Sequence, residues 1–218
     1  MSLKWQDSLR RNFQIFKEYT LKKGEKGDEN LNDLFTIDCG DILLRELRIE
    51  DVDATYEITS QPEVYEYLPD WKSTREQRLD WVTNYEIPSN KKFLSAVPNI
   101  EEQNYLKLGI ILKETDEFIG FCNTGIKEEL PAPNREIAYA ISKHYRNRGY
   151  TTKAVKGLIN YLFENTNVEL LNTIVLTQNV SSNKVIQKSG FNFLGDLEIE
   201  NEKYYHYTLL KSEWQSNK

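Results

Sequence analysis

The segment that most constrains this fold lies in the second half of the chain, where a strand-like run leads through a short loop into a long helical pattern. Residues 135–142 have strand character, Arg146-Asn147-Arg148-Gly149-Tyr150 forms the loop, and apolar residues then recur at helical spacing through residue 163. A tight turn between a strand and a helix leaves backbone N–H groups without partners at the positive end of the helix dipole. The segment therefore predicts a binding site for an anionic phosphate, to which Arg146 and Arg148 add positive charge.

The loop fits neither of the two common nucleotide-binding motifs. It lacks the spacing of a P-loop, and it lacks the three glycines of the dinucleotide fingerprint. ATP and NAD are consequently disfavoured as its ligands. Basic residues also precede many helices at solvated surfaces, so the loop taken alone leaves a purely structural role open.

The rest of the chain predicts a mixed α/β sheet. Asp51 begins a helix that Pro62 ends, and Ser73-Thr74-Arg75-Glu76 caps a second helix. Two runs joined by Glu114-Thr115-Asp116 indicate an antiparallel hairpin, and Gly190 stops a later helix at residues 181–188. The predicted order is strand, two helices, three strands, helix, strand, helix and strand, with strands at residues 42–47, 106–113, 117–123, 135–142, 172–177 and 203–210.

The first 33 residues form a separate unit in this prediction. Trp5, Leu9, Phe13 and Phe16 recur at helical spacing, which indicates an amphipathic helix over residues 4–22. A stretch with two glycines and alternating charges follows as a linker, so we expect an N-terminal helix and linker at residues 1–33 and one domain at residues 34–218. The helix has three open roles: it covers its own domain, pairs two subunits in a homodimer, or holds another partner.

Composition and charge disfavour several functional classes. Lys and Arg number 28 against 34 Asp and Glu, a net charge of −6, so no basic field attracts nucleic acid. Cys39 and Cys122 are too few for a disulfide framework, and the start of the chain lacks the apolar core of a signal peptide. We therefore expect a cytoplasmic protein that neither crosses nor binds a membrane. With His144 and His206 as the only histidines and no ligand cluster, we expect no metal.

Two ordered motifs carry a resemblance to a known family. Arg146 and Gly149 match two fixed positions in the pyrophosphate loop of the GNAT acetyltransferases. That loop has the pattern Arg or Gln, two residues, Gly, one residue, then Gly or Ala. Thr151 stands at the last position and departs from the pattern. About thirty residues later, Asn179, Ser182 and Gly190-Phe191 fit the Asn-x-x-Ser…Gly-Phe pattern of the branch that resembles ribosomal-protein N-acetyltransferases (RimJ/RimL-like). The resemblance covers roughly residues 42–210, including Glu136-Ile137-Ala138-Tyr139.

The resemblance implies a GNAT fold, which is a mixed central sheet with parted parallel strands flanked by helices, here with an N-terminal helical extension. It implies acetyl-CoA as co-substrate, with its pantetheine arm entering between the parted strands. The residues it assigns to cofactor binding are Tyr139, Ala140 and Ile141 on the strand, Arg146, Asn147, Arg148, Gly149, Tyr150, Thr151 and Thr152 in the loop, and Asn179 with Ser182 beyond it. Asn179 has an open alternative as a helix cap.

The same resemblance suggests the catalytic and acceptor residues. Many members carry a tyrosine where this chain has Ile186, so Ser182 becomes the candidate acid for the departing thiolate, with helix capping as its open alternative. Glu136 is the candidate base because partial burial would raise its pKa, and its open alternative is an exposed glutamate at a strand start. Tyr65, Tyr67 and Trp71 are the candidate acceptor residues, because they fall, together with Trp81, where family members line the acceptor cleft. Core packing is the open alternative for at least two of these four aromatic residues.

These features predict an N-acetyltransferase that moves acetyl directly from acetyl-CoA to an amine, either a protein N-terminus or a small molecule. The alternative is a non-catalytic GNAT-fold protein that binds CoA as a sensor or interaction module. That alternative is suggested by Thr151, by Ile186 and by the added N-terminal helix. Release of the CoA thiol in the presence of an amine separates the two hypotheses.

Overall fold

Strand-forming runs from both halves of the chain meet in one eight-stranded sheet in the computed structural model, which describes residues 34–216. The predicted N-terminal helix and linker lie outside the described residues. The strands follow the order β1-β2-β3-β4-β5-β6-β8-β7, and neighbours are antiparallel except β5 and β6. Their bounds are β1 Thr36–Asp38, β2 Ile42–Glu46, β3 Leu106–Leu112, β4 Glu117–Ile126, β5 Arg135–Ile141, β6 Leu170–Leu176, β7 Asn192–Ile199 and β8 Glu202–Leu210.

Seven α-helices accompany the sheet in the described part of the chain. They are α1 Val52–Thr59, α2 Pro62–Tyr65, α3 Arg75–Trp81, α4 Ile87–Ala96, α5 Tyr150–Asn165, α6 Val180–Lys188 and α7 Lys211–Ser216. A π-helical segment, Val82–Glu86, joins α3 to α4, and short 3-10 turns lie at Ile49–Asp51, Pro69–Trp71 and Lys143–Tyr145. No helix within these bounds has both the length and the apolar character needed to span a bilayer.

Helices cover both faces of the sheet, and each face has its own apolar core. Ala140 of β5 packs in a cluster with Ile58 of α1 and Val64 of α2. Ile137, three residues earlier on β5, belongs to the larger cluster that contains Leu158 of α5. Because side chains alternate along a strand, these two residues point to opposite faces. The helices α1 and α2 therefore lie on one face and α5 on the other.

The parallel pair β5 and β6 is joined at one position and separates beyond it. Glu136 and Asn172 are the residues paired there, whereas β4 and β5 pair over seven positions. The rest of the β5 edge that faces β6 is left without a strand partner among residues 34–216. The mixed sheet with parted parallel strands, expected from the GNAT resemblance, is confirmed.

Strand β7, residues Asn192–Ile199, was not predicted from the sequence, nor were the short β1 and the C-terminal α7. Residues 192, 195 and 196 are Asn, Gly and Asp, which are depleted in strands, and Gly195 adjoins a register shift in the pairing with β8. Pairing along β8 overrides this weak local preference. The strand exists because of a long-range partner, which local patterns do not report.

The structure corrects the predicted role of Pro62. Helix α1 already ends at Thr59, and Pro62 occupies the first turn of α2 rather than stopping a helix. Proline is well suited to that position because its missing N–H has no helical partner there and its φ is already helical. The predicted second helix does begin after Thr74, whose side chain accepts a hydrogen bond from the Gln77 backbone N–H at 3.2 Å.

Candidate active site

The loop between β5 and α5 has the backbone geometry of an anion site. Asn147 (φ 61°) and Gly149 (φ 83°) adopt the left-handed conformation, and α5 begins immediately after Gly149. Within the described chain the backbone N–H groups of Tyr150, Thr151 and Thr152 meet no acceptor, as expected for the first turn of a helix. A Cβ at position 149 would have no atom within 4 Å, so the turn adjoins open space. These residues fit a bound phosphate.

The two arginines of the loop are held differently. Arg146 is half-buried, and its Nη2 donates a hydrogen bond to the backbone carbonyl of Glu63 in α2 at 2.6 Å. Arg148 is exposed, and its guanidinium carbon lies 5.4 Å from the centroid of the Tyr145 ring. Arg146 therefore connects the loop to α2 in addition to carrying charge, whereas the charge of Arg148 stands at the surface beside the turn.

Thr151, the departure from the family pattern, lies in the first turn of α5 and is only 8% exposed. Most of its side chain is therefore packed inside the protein. Thr152 beside it is half-buried. The extra bulk of a threonine at this position is accommodated by the packing of the helix start.

The structure brings Tyr139 and Ser182 together across the gap between the parted strands. The Tyr139 hydroxyl lies 2.7 Å from Ser182 Oγ and donates to the Ser182 backbone carbonyl at 3.1 Å. Burial raises the pKa of the Tyr139 hydroxyl well above its usual value, so the phenol stays protonated at neutral pH. The sequence did not foresee this side-chain role for Tyr139.

The helix cap at the start of α6 is Asn179, and Ser182 is not the capping residue. Asn179 Oδ1 accepts a hydrogen bond from the Ser182 backbone N–H at 3.1 Å. The capping alternative for Asn179 is thus observed, while its contact with the cofactor stays a prediction. The capping alternative for Ser182 is wrong, because its hydroxyl bonds to Tyr139 instead. Ile186 is completely buried in the main core, as suits a residue without a chemical role.

Backbone atoms of Tyr139, Ala140 and Ile141 pair with β4 on one side only. Their partners are Cys122, Phe121 and Gly120, respectively. Their opposite edge faces the gap where β6 has separated. That edge is where the predicted pantetheine contacts would form.

Glu136 lies at the single point where β5 and β6 are still joined. It is half-buried, which rules out the alternative of an exposed strand-start residue, and its Oε1 accepts a hydrogen bond from the Ile174 backbone N–H at 3.4 Å. Burial raises the pKa of this carboxyl to about 6, although the Lys127 charge and the Ile174 N–H act in the opposite direction. A carboxylate with this pKa is ionised at neutral pH and remains able to accept a proton.

The three predicted acceptor residues divide into two environments. Trp71 stacks on Phe121 of β4, with ring centroids 4.9 Å apart. Tyr65 is covered by Lys72, whose Nζ lies 4.1 Å from the ring centroid, and Tyr67 is half-buried. Only Trp71 of the three is thereby shown to pack against the sheet, on the face that carries Ala140 and Glu136.

A buried charged cluster beneath Trp71 was missed by the sequence prediction. Lys107 of β3 is 1% exposed and forms an ion pair with Glu86, and Arg78 Nη1 lies 3.5 Å from the same carboxylate oxygen. Burial lowers the pKa of Lys107 to about 8. A cavity of about 40 Å³ adjoins the cluster. The available signal was a single lysine within the otherwise apolar run of residues 106–112.

Titratable side chains elsewhere do not gather as metal ligands. No group of three or more His, Cys, Asp or Glu residues suited to a metal ion occurs among residues 34–216. His206 instead bonds through Nε2 to Asn172 Oδ1 at 2.9 Å. The His206 side chain on β8 is thus hydrogen-bonded to the neighbouring strand β6.

Comparison with known proteins agrees with this geometry. Residues 41–192 match the family model described as an acetyltransferase (GNAT) domain. A relative from Bacillus subtilis (strain 168), named as the uncharacterized N-acetyltransferase YnaD, is 25% identical over 179 residues, which cover 79% of this chain and 95% of the relative.

Solved structures show the same fold at low sequence identity. RimL, a ribosomal L7/L12 alpha-N-protein acetyltransferase solved with coenzyme A, has a TM-score of 0.62 and 12% identity, covering 81% of this chain and 98% of its own. The aminoglycoside acetyltransferase AAC(6')-Ib, solved with coenzyme A and kanamycin, has a TM-score of 0.62 and 14% identity, covering 80% and 98%. Since the family model spans well over half of the sequence, this chain belongs to the GNAT acetyltransferase family.

Proposed function

We propose that this protein transfers the acetyl group of acetyl-CoA, its co-substrate, directly to an amine without a covalent enzyme intermediate. The observation that carries the proposal is the position of Glu136, a half-buried carboxylate at the point where β5 and β6 part. In the proposal the pantetheine arm enters this gap, so the thioester carbon comes beside a base.

The chemistry requires a base because most amines are protonated near neutral pH. A lysine-type amine has a pKa of about 10.4, so forming its neutral, nucleophilic state at pH 7 costs about 4.6 kcal/mol. An α-amino group has a pKa near 8, so the same cost is much smaller for it. Glu136, with its pKa of about 6, takes this proton directly or through water. The nitrogen lone pair then forms the new bond to the carbonyl carbon while the bond from that carbon to sulfur breaks.

The departing thiolate needs a proton, and the Tyr139–Ser182 pair supplies it in this proposal. Ser182 Oγ donates its proton to sulfur and recovers one from the Tyr139 hydroxyl 2.7 Å away, which is itself reprotonated from solvent, while Glu136 releases to solvent the proton that it took from the amine. Backbone N–H groups on the free edge of β5 stabilise the negative oxygen of the tetrahedral species. The loop from Arg146 to Thr152 binds the pyrophosphate.

The acceptor belongs to the class of amines, either a protein N-terminus or a small molecule. The two solved neighbours are named for one example of each, a ribosomal protein and an aminoglycoside. Trp71, with Tyr65 and Tyr67, supplies aromatic surface for a cationic acceptor in this proposal. The net charge of −6 favours the approach of such a cation.

A thiol-release assay with the full 218-residue chain tests the proposal. Acetyl-CoA is combined in turn with spermine, kanamycin and a short peptide with a free N-terminus. We expect amine-dependent thiol release, an acetylated product by mass spectrometry, and intersecting rather than parallel double-reciprocal plots. Calorimetric binding of CoA without turnover on any of the three would favour the non-catalytic sensor or interaction module instead.

A further inference from the structure

A cleft lies at the end of the sheet opposite the turn into α5. It has a volume of about 250 Å³ and opens where β4 ends and where β5 and β6 begin. Five apolar residues line it, namely Ile100, Ile126, Pro133, Val168 and Leu170. Because a cavity of about 150 Å³ is enough to hold a benzene ring, this cleft has room for an aromatic side chain.

The polar side chains of the cleft are bonded within the protein. The Arg135 guanidinium donates to the backbone carbonyls of residues 101, 102 and 104 at 2.9–3.0 Å. Asn167 bonds through both ends of its amide to the backbone of Ile100, at 3.1 and 3.2 Å. These groups need no further partner, so an apolar side chain suits the cleft better than a small polar ligand.

The described chain begins at the same end of the sheet as the cleft. Strands β1 to β5 are neighbours in sequence order and each pair is antiparallel, whereas β6 runs parallel to β5. Strand β1 therefore begins at the end where β4 ends and where β5 and β6 begin. The residues that precede β1 approach the sheet from the side of the cleft.

The predicted linker is long enough to bring the N-terminal helix to the cleft. Strands β1 and β5 are four neighbours apart, which is about 20 Å at the usual strand spacing. An extended chain spans at most about 3.3–3.6 Å per residue, so residues 24–33 reach as far as about 33–36 Å. The predicted helix over residues 4–22 can consequently lie across this end of the sheet.

The apolar stripe of that helix contains side chains of the kind that the cleft accepts. Trp5, Leu9, Phe13 and Phe16 form the stripe, and three of the four are aromatic. Phe13 is the aromatic residue nearest its middle. A stripe of this width on a predicted amphipathic helix needs an apolar surface to cover it. The cleft offers such a surface.

The charges of the two surfaces are complementary. Residues 1–23 contain six Lys or Arg and two Asp or Glu, a net charge of +4, although the whole chain carries −6. The remainder of the protein is therefore strongly acidic. Glu102 and Glu169 line the cleft with exposed side chains, and Glu169 shares its charge with Lys211 at 3.3 Å. This balance favours a basic segment at the cleft over a second acidic domain.

We propose that the cleft receives the N-terminal helix of the same chain, with the Phe13 ring inserted between its apolar walls. The basic residues beside the stripe then face the acidic rim. Along β5 the cleft contains Arg135, and the junction with β6 at Glu136 separates it from the gap beyond. Occupation of the cleft is therefore independent of the proposed acetyl transfer, and the helix serves to cover its own domain.

Photo-cross-linking in the full-length chain tests the assignment. The photoreactive analogue benzoylphenylalanine replaces Phe13, and the matched control carries it at Gln14, which lies off the stripe. Isotope-labelled and unlabelled chains are mixed before irradiation, and linked peptides are identified by mass spectrometry. We expect the Phe13 probe to link within one chain to residues 100–102, 126, 133–135 or 167–170, and the Gln14 probe to give few such links.

Three results of this experiment would overturn the proposal. Links between labelled and unlabelled chains would assign the stripe to a second copy of the protein. Links to other parts of the same chain would place the helix on another surface. A Phe13 probe that forms no links within the protein would leave the stripe available for a different partner, such as a membrane of anionic lipids.

Thermal melting supplies a second measurement on the same full-length chain. Phe13→Ala should lower the melting temperature by about 4–8 °C, and Gln14→Ala by less than about 2 °C. Ile126→Ala, in the wall of the cleft, should also lower it. The double variant Phe13→Ala with Ile126→Ala should lose less than the sum of the two shifts, because both substitutions remove one contact. Additive shifts, or an unchanged melting temperature in Phe13→Ala, would contradict the docking.

Discussion

The side chains of Glu136 and of Tyr139, the residue bonded to Ser182, point to opposite faces of β5, a relation visible only at the level of individual side chains. Glu136 and Tyr139 are three positions apart on one strand, so their side chains point to opposite faces, and Ser182 is bonded to Tyr139. In the proposed reaction the amine is therefore deprotonated on one face of the sheet. The thiolate is protonated on the other, and the thioester lies in the gap between them.

Replacement of Glu136 by glutamine should remove the acidic limb of the rate profile. With a pKa of about 6, the wild-type base loses its proton as pH rises through 6, so activity on an acceptor of low amine pKa should rise there. Glu136→Gln should be slower by about 10²- to 10⁴-fold and should lack this limb. The test is to measure kcat/KM of both proteins from pH 5 to pH 8. A Glu136→Gln variant with the wild-type pH profile and a near wild-type kcat would contradict the role of Glu136 as the base.

The same substitution should stabilise the protein at neutral pH. The folded-state pKa of Glu136 is raised from 4.5 to about 6, so the folded state binds more protons between these values and stability falls as pH rises across that window. The ionised carboxylate thus costs about 2 kcal/mol above pH 6. Glu136→Gln should recover part of this in urea unfolding at pH 7, and little at pH 4. A variant less stable than wild type at pH 7 would contradict the burial argument.

Tyr139 and Ser182 should behave as one unit toward the leaving thiolate. Ser182→Ala is expected to lower kcat by about 10- to 10⁴-fold with little change in acetyl-CoA affinity. Tyr139→Phe, which removes only the hydroxyl bonded to Ser182, should reduce kcat in the same direction. The double variant should be no slower than the worse single one, because both act on one proton. Additive losses would indicate two independent roles.

At the scale of secondary-structure elements, the turn into α5 should bind acetyl-CoA through charge and backbone together. Arg148→Glu reverses an exposed charge and should weaken acetyl-CoA binding in calorimetry by about tenfold or more without changing the melting temperature. Arg146→Glu should weaken binding as well, and it should also lower stability because it breaks the bond to the Glu63 carbonyl. If both reversals leave affinity unchanged, the pyrophosphate is bound elsewhere.

The buried cluster connects three elements, and its carboxylate should matter for stability. Glu86 closes the π-helical segment, Arg78 belongs to α3, and Lys107 belongs to β3, so Glu86→Gln leaves two buried cations unpaired. We expect a loss of about 3–5 kcal/mol in chemical unfolding. The matched control removes an exposed pair of the same helix region, Arg75 with Asp53, and Arg75→Gln should cost less than about 1 kcal/mol. Equal losses would contradict the distinction between buried and exposed pairs.

For the whole molecule, the described residues 34–216 contain the sheet, both apolar cores and every residue assigned to the proposed site. Deleting residues 1–33 should therefore leave acetyl-CoA binding and turnover in place. The deletion removes the apolar stripe of the predicted helix, which must be covered by another surface: Trp5, Leu9, Phe13 and Phe16. We therefore expect it to change the melting temperature or the molecular mass measured by light scattering. If the deletion abolishes activity and leaves the melting temperature and the molecular mass unchanged, the N-terminal residues contribute to the chemistry instead.

Local patterns in the sequence determined the parts of this protein that depend on neighbours along the chain. The loop from Arg146 to Thr152, the start of α5 and the hairpin of β3 and β4 follow from turn residues and from periods of 3.6 and 2 residues. Glu136 and Ser182 were named from motifs, which specify residue types at fixed spacing. No long-range contact was needed for these assignments.

The tertiary structure decided what depends on residues far apart in the sequence. The Tyr139–Ser182 bond joins positions 43 residues apart, and the Lys107–Glu86 pair joins positions 21 apart. The pairing of Glu136 with Asn172 and the existence of β7 likewise depend on which strands meet and in which register. Register is set when the whole sheet packs against its helices, because a one-residue slip would turn every side chain to the other face. For that reason the sequence suggested the proposed base and acid, while only the assembled sheet revealed what lies beside them.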